Sequence, residues 1–336
     1  MKWIVRLSAV LVVVVAAIVL YAVATARGAE NPVGFEAVQA AAPDGRPMAL
    51  GIWYPTSGSP RPTTLLGATL LKVAPAGPVL GSALPLVVIS HGNGGGVASH
   101  VDLAMALASA GYVVAAPMHP GDNFADQGAA GSPRLFSDRA RQLRASIDYM
   151  LDHWQGHDHI DATRVGAFGL SAGGFTVLTL IGGKPDMASI ASHCAAHPEF
   201  VCAALQYAHS GLLETPMGDV GEFAVDPRIK AAVVAAPGLG FTFASDGLAG
   251  VGVPVQLWSG ELDQTVPYAS NAGIVRAGLG AHVEYHEAKG AAHLSFLAPC
   301  GLLKPPAVCT DAPGFDRETF HAAMNADVIR FFNAHW

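Results

Sequence analysis

Between Arg164 and Ile181 the chain joins a strand to a helix through Gly169-Leu170-Ser171-Ala172-Gly173, and this junction constrains the fold more than any other segment. Arg164-Val165-Gly166-Ala167-Phe168 is short and apolar in alternation and reads as a strand. Gly174 to Ile181 reads as a buried helix. A serine on a sharp strand-to-helix turn needs small residues two positions to either side, because the backbone there is strained and neighbouring elements crowd it. Such a turn lifts the hydroxyl onto the rim of a parallel sheet. An ordinary Gly-rich turn shares the bare pattern; the flanking segments favour the elbow.

The rest of the chain fits that junction. Short apolar strands alternate with Ala-rich helical stretches, as where Val101 to Ala110 leads into Tyr112-Val113-Val114-Ala115-Ala116. The pattern predicts an α/β fold with a mostly parallel central sheet and helices on both faces. With 336 residues and 51% hydrophobic content, the chain can bury one substantial core. Gly34 to Thr56 alternates around Pro43-Asp44-Gly45-Arg46 and predicts an antiparallel hairpin at the sheet edge. Arg317 to Trp336 predicts a closing helix. The net charge of −7, with basic residues scattered rather than clustered, argues against nucleic-acid binding.

A serine nucleophile needs an imidazole to take its proton and a carboxylate to orient that imidazole. Val253 to Gly260 reads as a strand, followed by Glu261-Leu262-Asp263. His282 to His286 reads as the next, followed by Gly290-Ala291-Ala292-His293. Asp263 and His293 thus each follow a strand end, in the order Ser, acid, His. The candidates are Ser171 as nucleophile, His293 as general base and then acid, and Asp263 as orienter, with Glu261 as reserve acid. The plainer alternatives are a surface histidine and a turn-capping aspartate. Pro85 to Ser90 is an apolar strand running into His91-Gly92-Asn93-Gly94-Gly95-Gly96. Backbone N–H groups of Asn93 and Ala172 are the candidate oxyanion donors, glycine allowing close approach. A phosphate cradle is the weaker reading, because no Lys-Ser/Thr pair follows.

Several separate motifs carry a family resemblance. PLVVISHGNGG, LASAGYVVAAPMHP, GLSAGG, RIKAAVVAAP, SGELDQTVP and GAAHLSFLAPC resemble the bacterial dienelactone-hydrolase-like α/β-hydrolases. These are similar in turn to platelet-activating-factor acetylhydrolases and cutinase-like polyester hydrolases. The resemblance covers nearly all of the chain after about residue 33. It implies the α/β-hydrolase fold, a serine esterase acting on a small-molecule or lipid-like ester, and no cofactor. Dienelactone hydrolases themselves use cysteine where this chain has Ser171, which points to an ordinary ester. Mammalian platelet-activating-factor acetylhydrolases place the acid after the sixth strand, where this chain has Ala236-Pro237-Gly238 and no carboxylate.

The first 28 residues read as a separate export device, with 29–336 as the hydrolase domain. Lys2 and Arg6 precede an apolar run from Leu7 to Ala26, interrupted only by Ser8 and Thr25. Ala22-Val23-Ala24 and Ala24-Thr25-Ala26 are small-x-small cleavage candidates. The run also has the length of an uncleaved membrane tether. The protein is expected to be periplasmic or secreted, with an inner-membrane anchor as the alternative. The four cysteines fall in two close pairs, Cys194/Cys202 and Cys300/Cys309, which suits local disulfides in an oxidising compartment. Four cysteines allow three connectivities, and four free thiols are the alternative.

His153, His157 and His159 include an i, i+4 pair with zinc-ligand spacing, but a solvated helix end is the simpler reading, and no metal is expected. His91 and His119 end strands and either line a pocket or brace loops. The excursion from about 182 to 226 reads as a small cap, which also holds His193, His197 and His209. Its Phe200, Leu205, Tyr207, Leu212, Leu213, Met217 and Phe223 would line an acyl or aryl pocket or form a plain second core. Phe296 and Leu297 are further lining candidates. Peptidase or acyltransferase chemistry, or a binding protein keeping the fold, are the alternatives to ester hydrolysis.

Overall fold

A computed structural model describes residues 2–24, 26–65, 69–244, 246–301 and 304–336. Among them ten strands form one sheet. They are β1 (Val33–Ala41), β2 (Pro47–Pro55), β3 (Arg61–Leu65), β4 (Thr69–Pro75) and β5 (Leu84–Ser90), then β6 (Val113–Pro117), β7 (Ile160–Leu170), β8 (Ile229–Ala235), β9 (Val255–Gly260) and β10 (Val283–Ala288). The order across the sheet is β10-β9-β8-β7-β5-β6-β2-β1-β4-β3. From β10 to β6 all neighbours are parallel.

Strand β5 shows why this region is apolar from Leu84 to Ile89. Leu86 and Val88 join the core on one face, and Val87 and Ile89 join the core on the other. A strand covered on both faces has no solvent side to mark with polar residues. The helices are α1 (Lys2–Ala24), α2 (Val101–Ser109), α3 (Leu135–Asp152), α4 (Ala172–Leu180), α5 (Ser189–Ala196), α6 (Phe200–Tyr207), α7 (Ala272–Leu279), the single turn α8 (Pro306–Cys309) and α9 (Arg317–Ala334). Helices α2 and α9 bury their apolar sides in one core, and α3, α4 and α7 in the other.

The hairpin of β1 and β2 has the expected antiparallel pairing, Val33 opposite Pro55. Its place is different from the one expected. Strand β2 pairs with β6 and β1 with β4, so β3 forms the sheet edge. The reason lies in Leu71-Lys72-Val73, where the leucine and valine are buried and the lysine is exposed. That alternation gives β4 a core face, which it can bury only by extending the sheet beyond the hairpin.

Helix α1 stands apart from both cores, with Trp3, Leu7, Leu11 and Leu20 exposed. Among the described residues no helix is long and apolar enough to cross a membrane. Thr25, within one cleavage candidate, lies outside the described residues. Arg27 already bonds to β4, its N–H donating to Leu70 at 3.2 Å and its carbonyl accepting from Lys72 at 2.7 Å.

Candidate active site

Strand order reverses at β5, which has β6 on one side and β7 on the other. Loops leaving the carboxyl ends of β5 and β7 therefore diverge and leave a crevice between them. Ser171 follows β7 directly, with φ 57° and ψ −120°, a backbone conformation unfavourable for any residue with a Cβ. The end of β8 holds it there: the Ser171 N–H donates to the Ala235 carbonyl at 3.0 Å, and the Ser171 carbonyl accepts from Gly238 at 3.1 Å. Crowding explains the flanking glycines. A Cβ on Gly169 would lie 2.2 Å from the Gly173 oxygen, and one on Gly173 would lie 2.0 Å from the Ser90 oxygen.

Asp263 sits in the turn after β9 and His293 at the start of a 3-10 turn after β10. Backbone bonds lace the two loops together, Glu261 N–H to Ala288 at 3.0 Å and Leu262 N–H to Ala291 at 2.9 Å. His293 Nδ1 donates to Asp263 Oδ2 at 2.7 Å. The other carboxylate oxygen accepts from the Thr265 and Val266 amides, both at 2.9 Å. With Nδ1 committed, Nε2 of His293 is left to exchange a proton. Glu261 is turned elsewhere: its exposed carboxylate accepts from the Gly290 N–H at 2.8 Å and faces Lys289. The Gly290 bond chiefly holds that carboxyl below its ordinary range.

Ser171 and His293 line one cavity of about 430 Å³ with Gly92 to Gly96. Its apolar walls include Phe124, Phe200, Leu294, Leu297 and Val308. Asn93 and Gly94 belong to this lining, and Ala172 opens α4 beside it. Of the further lining candidates Leu297 faces the cavity and Phe296 does not, while most cap side chains follow the plain-core reading. Phe296 is fully buried against Phe320, since the 3-10 turn points it inward. Of the cap side chains only Phe200 reaches this cavity: Leu205 and Leu212 are core, Phe223 packs on Phe175, and Tyr207 is exposed.

The cysteines pair locally, Cys194 with Cys202 and Cys300 with Cys309. Among the described residues no His/Cys/Asp/Glu group could hold a metal ion. His157 and His159 direct Nδ1 at backbone carbonyls of Trp154 and Gly81, at 2.8 and 2.6 Å. His91 and His119 brace loops: the His91 Nδ1–H donates to Gly92 at 2.7 Å, and its Nε2 accepts from the His119 amide at 3.2 Å.

One part of the site escaped sequence reasoning. Arg139 and Asp122 form a fully buried ion pair at 2.6 Å beneath the β5 loop. A signal existed: Arg139 falls on the apolar stripe of α3, in line with Leu135, Leu143 and Ile147, where a charge needs a buried partner.

Residues 67–131 match the family model described as platelet-activating factor acetylhydrolase, isoform II. No curated protein sequence matches the chain. A solved ferulic acid esterase from Streptomyces cinnamoneus is similar in structure, with a TM-score of 0.58 and 16% identity, covering 92% of this chain and 93% of that one. The fold is therefore that of the α/β-hydrolases, and the matched segment is similar to platelet-activating-factor-acetylhydrolase-type esterases. The structure is one of 1041 matching solved chains, so the fold by itself selects no substrate.

Proposed function

We propose that this chain is an exported serine hydrolase that cleaves carboxylic esters through an acyl-enzyme. The reading rests chiefly on the 2.7 Å bond from His293 to Asp263, in the cavity that Ser171 also lines. Similarity to two esterase types supports the same chemistry. His293 Nε2 takes the Ser171 proton as Oγ attacks the ester carbonyl. Asp263 fixes the imidazole tautomer and stabilises the imidazolium. The Asn93 and Ala172 amides receive the developing oxyanion. His293 then protonates the leaving alcohol and activates the water that releases the acid.

The walls indicate the substrate class. Phe124, Phe200, Leu297 and Val308 offer apolar contact, and among the described residues no lysine or arginine lines the cavity. A neutral ester with a modest aryl or acyl group fits that lining. Export is supported by the two disulfides and by the amino-terminal pattern. Cleavage after Ala26 would leave Arg27, the residue that bonds to β4, at the new terminus.

Labelling by a fluorophosphonate, mapped by mass spectrometry, tests the reading. Modification at Ser171 that is lost in His293→Ala is expected, together with turnover of p-nitrophenyl esters. Absence of labelling in folded, oxidised protein would overturn it in favour of a binding protein. Peptide cleavage without ester preference would replace the substrate class.

A further inference from the structure

Beneath the site, one guanidinium reaches both of the segments that would supply oxyanion donors. On the loop side, Asp122 Oδ1 accepts from the Asn93 side-chain amide at 2.7 Å and from the Gly94 N–H at 3.0 Å. Its Oδ2 accepts from Arg139 Nη1 at 2.6 Å. Arg139 Nη2 donates to the His91 carbonyl and to Ser90 Oγ, the latter at 3.2 Å. On the elbow side, Arg139 Nε donates to Thr176 Oγ1 at 3.2 Å, and Thr176 donates to the Ala172 carbonyl at 2.8 Å. Strand β5 carries the first segment and β7 the second; their ladder ends at Ser90 opposite Gly169, and beyond it the side chains of Arg139 and Asp122 link the two segments.

Building on the hydrolase reading, we propose that Arg139, Asp122 and the Asn93 side chain are positioning residues that set the separation of the Asn93 and Ala172 N–H groups for the oxyanion. None of the three side chains bonds to the reacting atoms in this role. The pair is buried at 1% and 2% exposure, where an ion pair contributes little net stability over an apolar substitute. What a multidentate buried pair does supply is fixed geometry. Arg139 presents a planar fork to four acceptors in three elements, which lysine cannot reproduce.

The surrounding histidines complete a closed set. His119 Nδ1–H donates to Gln142 at 2.9 Å, so Nε2 accepts from Ser90 Oγ at 2.9 Å, and Ser90 Oγ accepts from Arg139. Asp122 Oδ1, Arg139 Nη2 and Ser90 Oγ each hold two partners, so the set ties the β5 loop to α3 and α4 at several points.

Asn93→Ala is the first test, because it keeps the backbone N–H, removes the anchor, and alters an exposed residue. The double variant Asp122→Asn/Arg139→Met is the second, removing both charges together so that neither stays buried unpaired. On a p-nitrophenyl ester, kcat is expected to fall by on the order of 10²-fold for a displaced donor, with KM changed less than about threefold. Fluorophosphonate labelling of Ser171 slows in parallel, while the apparent pKa of the pH–rate profile and, in Asn93→Ala, the melting temperature stay put. Unchanged kcat in Asn93→Ala, or a rise in KM alone, overturns the proposal. Wild-type protein that neither labels nor turns over esters would instead defeat the hydrolase reading itself.

Discussion

Asp263 and Glu261 stand two residues apart in one turn, yet only one carboxylate meets His293. Strand β9 ends at Gly260, and the Asp263 N–H bonds back to the Gly260 carbonyl at 3.3 Å. This turn breaks the strand rule that residues two apart share a face, so Asp263 meets His293 while Glu261 points to solvent and Lys289. The consequences of removing each charge differ accordingly. Asp263→Asn should lower kcat by on the order of 10⁴, because an amide at that position sets the wrong imidazole tautomer. Glu261→Gln keeps an acceptor for the Gly290 amide, removes only an exposed charge facing Lys289, and should leave kcat within a few fold. Steady-state kinetics of both variants check this, and the reverse ranking would move the orienting role to Glu261.

At the scale of elements, both disulfides lie at lips of the cavity. Phe200 sits inside the loop closed by Cys194 and Cys202, and Val308 inside the one closed by Cys300 and Cys309. Each loop is also fastened to the segment after a candidate residue. Glu199 accepts from Asn271 Nδ2 at 3.0 Å, eight positions past Asp263. Val308 accepts from Arg317 at 2.9 Å, and Arg317 pairs with Asp311, which accepts from Ser295 Oγ at 2.7 Å in the His293 turn. Loops this short are worth about 2–3 kcal/mol each by chain entropy, and that stabilisation stays local. Reduction with a thiol should therefore cut kcat/KM on aryl esters while far-UV circular dichroism remains native. Simultaneous loss of both signals would mean that the bridges hold the core rather than the lips.

For the whole molecule, buried histidines set the acid limit. Burial drives His91 down to about 3 and His100 to about 4, and puts His119 well below its ordinary value; the Arg139 charge adds to the effect on His91 and His119. The unfolded chain protonates all three below about pH 6.5, whereas the folded chain keeps them neutral. Their contribution is thus complete above pH 6.5 and is lost as pH falls toward 4 and 3. The slope is up to about 1.4 kcal/mol per pH unit for each histidine. Asp102 acts in the same sense at lower pH: burial would raise it, but the His321 bond prevails and holds it at about 2. Thermal melts from pH 8 to 4 should show a melting temperature falling steadily below pH 6.5. A flat profile down to pH 4.5 would contradict the neutral, buried state of these side chains.

Much was legible in the sequence because its signals are local. The apolar strands, the glycines around Ser171 and the helices α2 and α9 follow from periodicity and steric demands within a few residues, and the structure places these elements where they were expected. The order of Ser171, Asp263 and His293 after successive strands was also readable, since a parallel sheet delivers every strand end to one side. Other features depend on contacts between segments far apart in the chain. Strand β4 displaced the hairpin from the edge because Leu71 and Val73 needed cover. Most cap aromatics and aliphatics entered a core because packing, not hydrophobicity alone, decides which faces meet. The Arg139–Asp122 pair spans 17 positions and reaches β5 and α4, a juxtaposition that no local pattern encodes. Sequence determined which residues could do chemistry; only the tertiary structure decided which of them meet, because the distances between loops are set by how the whole sheet packs.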